Sequence, residues 1–197
     1  MNHRLISVVA ALLMALALGA CAPEPVKFKN TDITGSALSP EFSLLDPAGK
    51  PVRLADFKDQ VLVVFFGFTQ CPDVCPTTLQ TLSQVMERLG SKQEQVSVVF
   101  ITLDPQRDTP DVLAQYLPQF NKRFVGLSGS KEALAEAAKG LRVFSQRVEG
   151  KTENSYTFDH TASAYVVDKK GVLRLLVRHA APVEDIEHDI ALLLQGK

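Results

Sequence analysis

Residues 66–76 read Phe-Gly-Phe-Thr-Gln-Cys-Pro-Asp-Val-Cys-Pro, which places Cys71 and Cys75 four residues apart, each followed by a proline. Four residues is about one helical turn, so at the start of a helix both sulfurs point to one side. Backbone N–H groups at such a start favour negative charge, which predicts thiols whose pKa is lowered. Pro72 and Pro76 suit a first helical turn and little beyond it, pinning the pair to that end. Three chemistries compete for the motif. A disulfide would staple a very short loop and add little but local stiffness. A redox dithiol commonly uses Cys-x-x-Cys, one residue shorter than this. A soft-metal site would use two thiolates to select Cu(I) or zinc, and a closed structural zinc site takes four protein ligands. With two cysteines on hand, a further ligand must come from elsewhere, and histidine is the natural donor.

The chain has four histidines. His3 lies in the leader described below. His188 stands beside Glu184, Asp185 and Glu187, a solvated helix face, and His179 follows the last apolar strand, a surface position. His160 differs: it lies in Tyr-Thr-Phe-Asp-His-Thr, residues 156–161, just ahead of a buried strand, where the chain faces the cysteine corner. Asp159 is expected to hydrogen-bond and orient its imidazole, as ligating histidines commonly require. Asp73, between the cysteines, is either a second carboxylate serving the site or an ordinary first-turn acid. Asp104 and Arg107, in Leu-Asp-Pro-Gln-Arg-Asp-Thr-Pro at 103–110, either pair locally or present charge to a partner.

The elements that must position these residues follow from periodicity. Residues 41–54 read as a small hairpin around a Pro-Ala-Gly-Lys turn. The continuous apolar run 61–66 has the pattern of a strand buried on both faces of a sheet, and Val-Ser-Val-Val-Phe-Ile at 96–101 reads as a second buried strand. Leu79, Leu82, Val85, Met86 and Leu89 recur at helical spacing, with Gly90 as a stop. Helices are expected at 111–117 and 131–141 on either side of a short strand at 124–125. A hairpin at 164–177 and an amphipathic helix at 183–194 close the chain. Parallel βαβ first and antiparallel ββα last is an α/β, thioredoxin-like order: a central mixed sheet flanked by helices, with an N-terminal hairpin extension. The cysteines then fall between the first buried strand and its helix, the reactive corner of that fold.

Bulk properties narrow the setting. Charge is nearly balanced, 21 basic against 22 acidic residues, which argues against nucleic acid as a partner, since phosphate binding needs a basic footprint. Arg4 precedes an almost unbroken apolar run from Leu5 to Ala20, short for a spanning helix and fitting a secretory signal. It ends Leu-Gly-Ala-Cys21, the form of a bacterial lipobox. Residues 1–20 are therefore expected to be a lipoprotein-type signal peptide, Cys21 the lipidated residue, 21–40 an extended tether and 41–197 the domain. This predicts a membrane-anchored lipoprotein on the periplasmic side of a bacterium. With Cys21 assigned to lipid, Cys71 and Cys75 are left for chemistry.

Taken together, Asp-Ile-Thr-Gly at 32–35, Gly-Phe-Thr-x-Cys-Pro-Asp-Val-Cys-Pro at 67–76, Asp-Pro-x-Arg-Asp-Thr-Pro at 104–110 and Asp-His-Thr at 159–161 resemble the Sco/SenC (PrrC-like) family. Its members are copper proteins that assist assembly of cytochrome c oxidase. The resemblance spans about Phe28 to Leu194, and the cysteine stretch is its most specific part. It implies copper, as Cu(I) or Cu(II), held by Cys71, Cys75 and His160. It further implies delivery to the dinuclear copper centre on the oxidase's copper-bearing subunit, or reduction of that centre's cysteines as a thiol–disulfide reductase. An extracytoplasmic copper donor and a thiol reductant are the other partners it implies. Many relatives are held by a transmembrane helix, whereas this chain carries the lipobox.

Overall fold

The computed structural model describes residues 27–152 and 155–197. The expected signal peptide, Cys21 and the first part of the tether lie outside the described residues. A six-stranded sheet in the order β1 (Thr31–Asp32), β10 (Leu173–Val177), β9 (Ala164–Val167), β4 (Val61–Gly67), β5 (Val96–Thr102), β6 (Phe124–Leu127) forms the centre. β4, β5 and β6 run parallel, and β9 and β10 form the antiparallel half. The helices are α1 (Val74–Leu89), α2 (Pro110–Tyr116), α3 (Lys131–Gly140) and α4 (Val183–Leu194). This is the expected thioredoxin-like arrangement.

Every residue of β4 is buried, which explains why its run is apolar without alternation. Val61, Val63 and Phe65 face α1, α2 and α4 together with Leu79, Leu82, Val85 and Ile190. Leu62, Val64 and Phe66 face α3 and the small hairpin of β2 (Ser43–Leu45) and β3 (Pro51–Arg53). Two apolar layers thus clamp one sheet, and burial at this scale is the dominant stabilising term.

Two regions depart from the expected outline. The described part of the stretch read as tether, residues 27–40, is joined to the domain. Thr31–Asp32 forms β1 against Leu176 and Leu175 of β10. The backbone amides of Lys29 and Asn30 donate to the fully buried Asp189 carboxylate at 2.9 and 2.8 Å. A two-residue strand and a side-chain acceptor far along the chain leave no periodicity to read. The second departure is a separate antiparallel hairpin, β7 (Ser145–Glu149) with β8 (Tyr156–His160), where a loop was expected ahead of β9.

Candidate metal centre

β4 ends at Gly67, and the chain turns through Phe68 to Cys71 before α1 begins at Val74. Gly67 is required here: a Cβ on it would stand 2.8 Å from the Phe100 ring and 2.9 Å from the Cys75 Sγ. The missing side chain is the space that Cys75 occupies. The turn is pinned by Asp108, buried beyond β5, which accepts from the Thr69 hydroxyl and the Thr102 hydroxyl, both at 2.6 Å. Burial pushes the Asp108 carboxyl up, against the pull of those hydrogen bonds. The Cys75 amide, in the first turn of α1, points at Cys71 Sγ at 3.4 Å. Both cysteines are free thiols, Cys75 fully buried and Cys71 partly so.

His160, at the end of β8, brings Nε2 to 3.6 Å from Cys75 Sγ. Its ring sits against Phe68, edge-on at 5.9 Å between centroids, and near Phe65. The ligand atoms of Cys71, Cys75 and His160 all lie within 4.8 Å of one another. The imidazole Nδ1 is 2.9 Å from the Thr161 carbonyl. A carbonyl only accepts, so Nδ1 carries the proton and Nε2 keeps its lone pair toward the thiols. Burial lowers the His160 pKa, with the Thr161 carbonyl and the Asp159 charge working the other way, so the ring favours its neutral, ligating form.

Two expectations need correction. Strand alternation puts Asp159 on the exposed face of β8, opposite His160, and the orienting hydrogen bond goes to the Thr161 backbone instead. The lowered thiol pKa expected from the helix start does not hold for Cys75. Burial dominates and pushes its thiol well up, outweighing a favourable backbone contact from Phe68. Asp73 is exposed at the α1 N-cap, where its carboxylate makes no capping bond to the backbone and accepts from the Thr77 hydroxyl at 3.2 Å. Asp104 and Arg107 do form their ion pair. His179 lies against the Thr78 hydroxyl at 3.2 Å, and His188 contacts Asp189 at 2.9 Å. Neither belongs to the cluster. Gly67, Thr69 and Asp108 were not singled out from sequence, although all three lie in the motif segments quoted above.

Two sulfurs and one imidazole nitrogen, converging at the mouth of a thioredoxin-like corner, form a donor set for a soft metal ion. The family model described as SCO1/SenC matches residues 30–195. The chain belongs to the SCO1/SenC family. It is 35% identical over 149 residues to the SCO2-like protein of Rickettsia felis, covering 75% of this chain and 73% of that protein. Among solved structures, Bradyrhizobium japonicum ScoI with copper bound superposes with a TM-score of 0.74 at 35% identity, covering 80% of this chain and 100% of that one. Apo Sco1 from Thermus thermophilus gives a TM-score of 0.74 at 43% identity, covering 84% and 99%. Family membership agrees with the thioredoxin-like fold and with the Cys-Cys-His cluster. Among the described residues, no helix is long and apolar enough to cross a membrane.

Proposed function

We propose that this SCO1/SenC protein is a copper metallochaperone. It takes one copper ion from an extracytoplasmic donor onto Cys71, Cys75 and His160. It then delivers the ion to the dinuclear copper centre of cytochrome c oxidase during assembly. The observation that carries the reading is the convergence of those three ligand atoms within 4.8 Å. Copper is cargo here, not a resident cofactor. In the metal-free protein the buried Cys75 thiol keeps its proton, and the neutral Nε2 of His160 accepts from it across 3.6 Å. Loading exchanges the thiol protons of both ligating cysteines for the metal. Three ligands leave one side free, so an acceptor thiolate adds before a donor thiolate leaves and the ion never passes through water.

The lipobox at Cys21 supports anchoring on the periplasmic side of a membrane. A single acyl chain binds only marginally, so the anchor relies on the several chains of a lipoprotein. A second reading, a thiol–disulfide reductase acting on the oxidase cysteines, is supported by the two neighbouring free thiols. His160 separates the two, because copper needs the imidazole and dithiol exchange does not. Oxidase activity in membranes of a deletion strain complemented at low copper tests this. The carrier reading expects His160→Ala to be about as damaging as loss of both cysteines, with partial rescue by added copper. Near-normal activity of His160→Ala at low copper would leave the reductase reading in its place.

A further inference from the structure

His160 is the one ligand of the three that the cysteine corner does not carry; it reaches the thiols on hairpin β7–β8. Along β8 the residues alternate, with Tyr156, Phe158 and His160 half-buried on the inner face and Thr157 and Asp159 exposed. Each inner residue has its own partner. His160 meets Cys75, and Phe158 packs on Phe68 at 5.4 Å between ring centroids. Tyr156 meets Arg107, whose guanidinium carbon lies 3.6 Å from the ring centroid, while Arg147 lies 3.7 Å from it. Two guanidiniums that close cannot share one face, so the ring is sandwiched between them.

Arg107 also reaches the other half of the centre. Its Nη1 donates to the Tyr156 carbonyl at 2.9 Å and to Gln70 Oε1 at 3.0 Å, and Gln70 directly precedes Cys71. The buried Asp104 carboxylate holds the guanidinium by an ion pair and accepts from the Tyr156 hydroxyl at 2.9 Å. One planar side chain therefore joins the cysteine loop to the histidine hairpin.

We propose that Arg107 and Tyr156 form a latch that holds His160 over the two thiols and sets how long copper stays bound. Both act as positioning residues, through His160 and not on the metal. With the latch closed, the hairpin keeps the imidazole on the ion. With it open, two thiolates remain, and the vacated position accepts an incoming ligand. The inference rests on the copper reading above and names what controls release from that site.

The test follows Cu(I) loss from reduced protein to a chromogenic chelator, with Tyr156 changed in two ways and in two backgrounds. Tyr156→Leu removes both ring and hydroxyl, and it should speed copper loss about tenfold, the scale of a desolvated cation–π contact. Tyr156→Phe keeps the sandwiched ring and loses only the bond to Asp104, so its effect should be smaller than that of Tyr156→Leu, which loses both. In a His160→Ala background Tyr156→Leu should add nothing, because the latch acts through the missing imidazole. An equal effect in both backgrounds would reveal general loosening of the domain and overturn the latch, as would an unchanged rate in the native background. If Tyr156→Leu does not fold, Arg107→Lys, which keeps the charge and loses the planar stack, gives the same comparison. Absence of copper binding by the unaltered protein would overturn the metal reading itself. Failure of the latch alone would leave that binding intact.

Discussion

Cys75 has no exposed surface at the start of α1, whereas His160 ends a hairpin whose outer strand β7 is exposed along its whole length. The cysteine corner is bounded by Phe100, Gly67 and the Asp108 hydrogen bonds, so the Cys75 sulfur is fixed by the core. The histidine is fixed by an aromatic and arginine seam outside the main sheet. Core packing resists displacement, while an element outside the main sheet, held by half-buried contacts, opens at lower free energy. A carrier must hold its ion and also give it up. Under the carrier function proposed above, the contrast would place holding with the cysteines and release with the hairpin.

Breaking the rigid half should have the largest effect. Cys75→Ser or Cys71→Ser should weaken Cu(I) binding by more than the ~10–100-fold typical of losing an outer partner of a ligand. Competition against a chelator of known affinity measures it, and a loss of a few-fold would contradict the ligand assignment. Next comes Gly67→Ala, which overfills the space beside Cys75. Overpacking of this kind costs about 1–3 kcal/mol, read as a lowered melting temperature, and copper affinity should fall with it. A melting temperature equal to that of the unaltered protein would mean that the strand end yields more easily than its contacts indicate.

The third effect sharpens the electrostatic side of the contrast. The folded-state pKa of Cys75 is raised by burial, so its proton persists at neutral pH and Cu(I) must displace it. The pKa of His160 is lowered, so the imidazole is already neutral there and contributes no competing proton. Apparent Cu(I) affinity should therefore climb by up to about tenfold per pH unit between about pH 6 and 8 for displacement of the Cys75 proton. A flat profile would contradict ligation through a Cys75 thiol that enters the site protonated. The smallest effect belongs to Asp159→Asn, His179→Ala and His188→Ala, which should leave affinity within about threefold, as for surface changes away from the site. A large loss from His179→Ala would mean that the wrong imidazole had been assigned.

The buried half of the molecule was legible because its chemistry is local. β4 is a continuous apolar run up to Gly67, β5 is mostly apolar, α1 has a regular stripe, and two cysteines four residues apart declare themselves. His160 was legible by its place before β9. The hairpin that carries it was not, because Ser145–Glu149 reads Ser-Gln-Arg-Val-Glu and is exposed throughout, so no alternation marks it as a strand. Asp159 was misread for the same reason. Without the strand, nothing shows that it must face away from its neighbour. The roles of Arg107, Asp108 and Tyr156 depend on contacts between segments 37 to 52 residues apart, which spacing along the chain does not reveal.

Copper K-edge X-ray absorption on the copper-loaded, reduced protein tests the central claim most directly. The account predicts one copper per chain with two sulfur ligands and one imidazole nitrogen, the nitrogen disappearing in His160→Ala and the sulfurs remaining. Retention of the same nitrogen signal in His160→Ala, or equal Cu(I) uptake by protein whose Cys71 and Cys75 are joined in a disulfide, would contradict it.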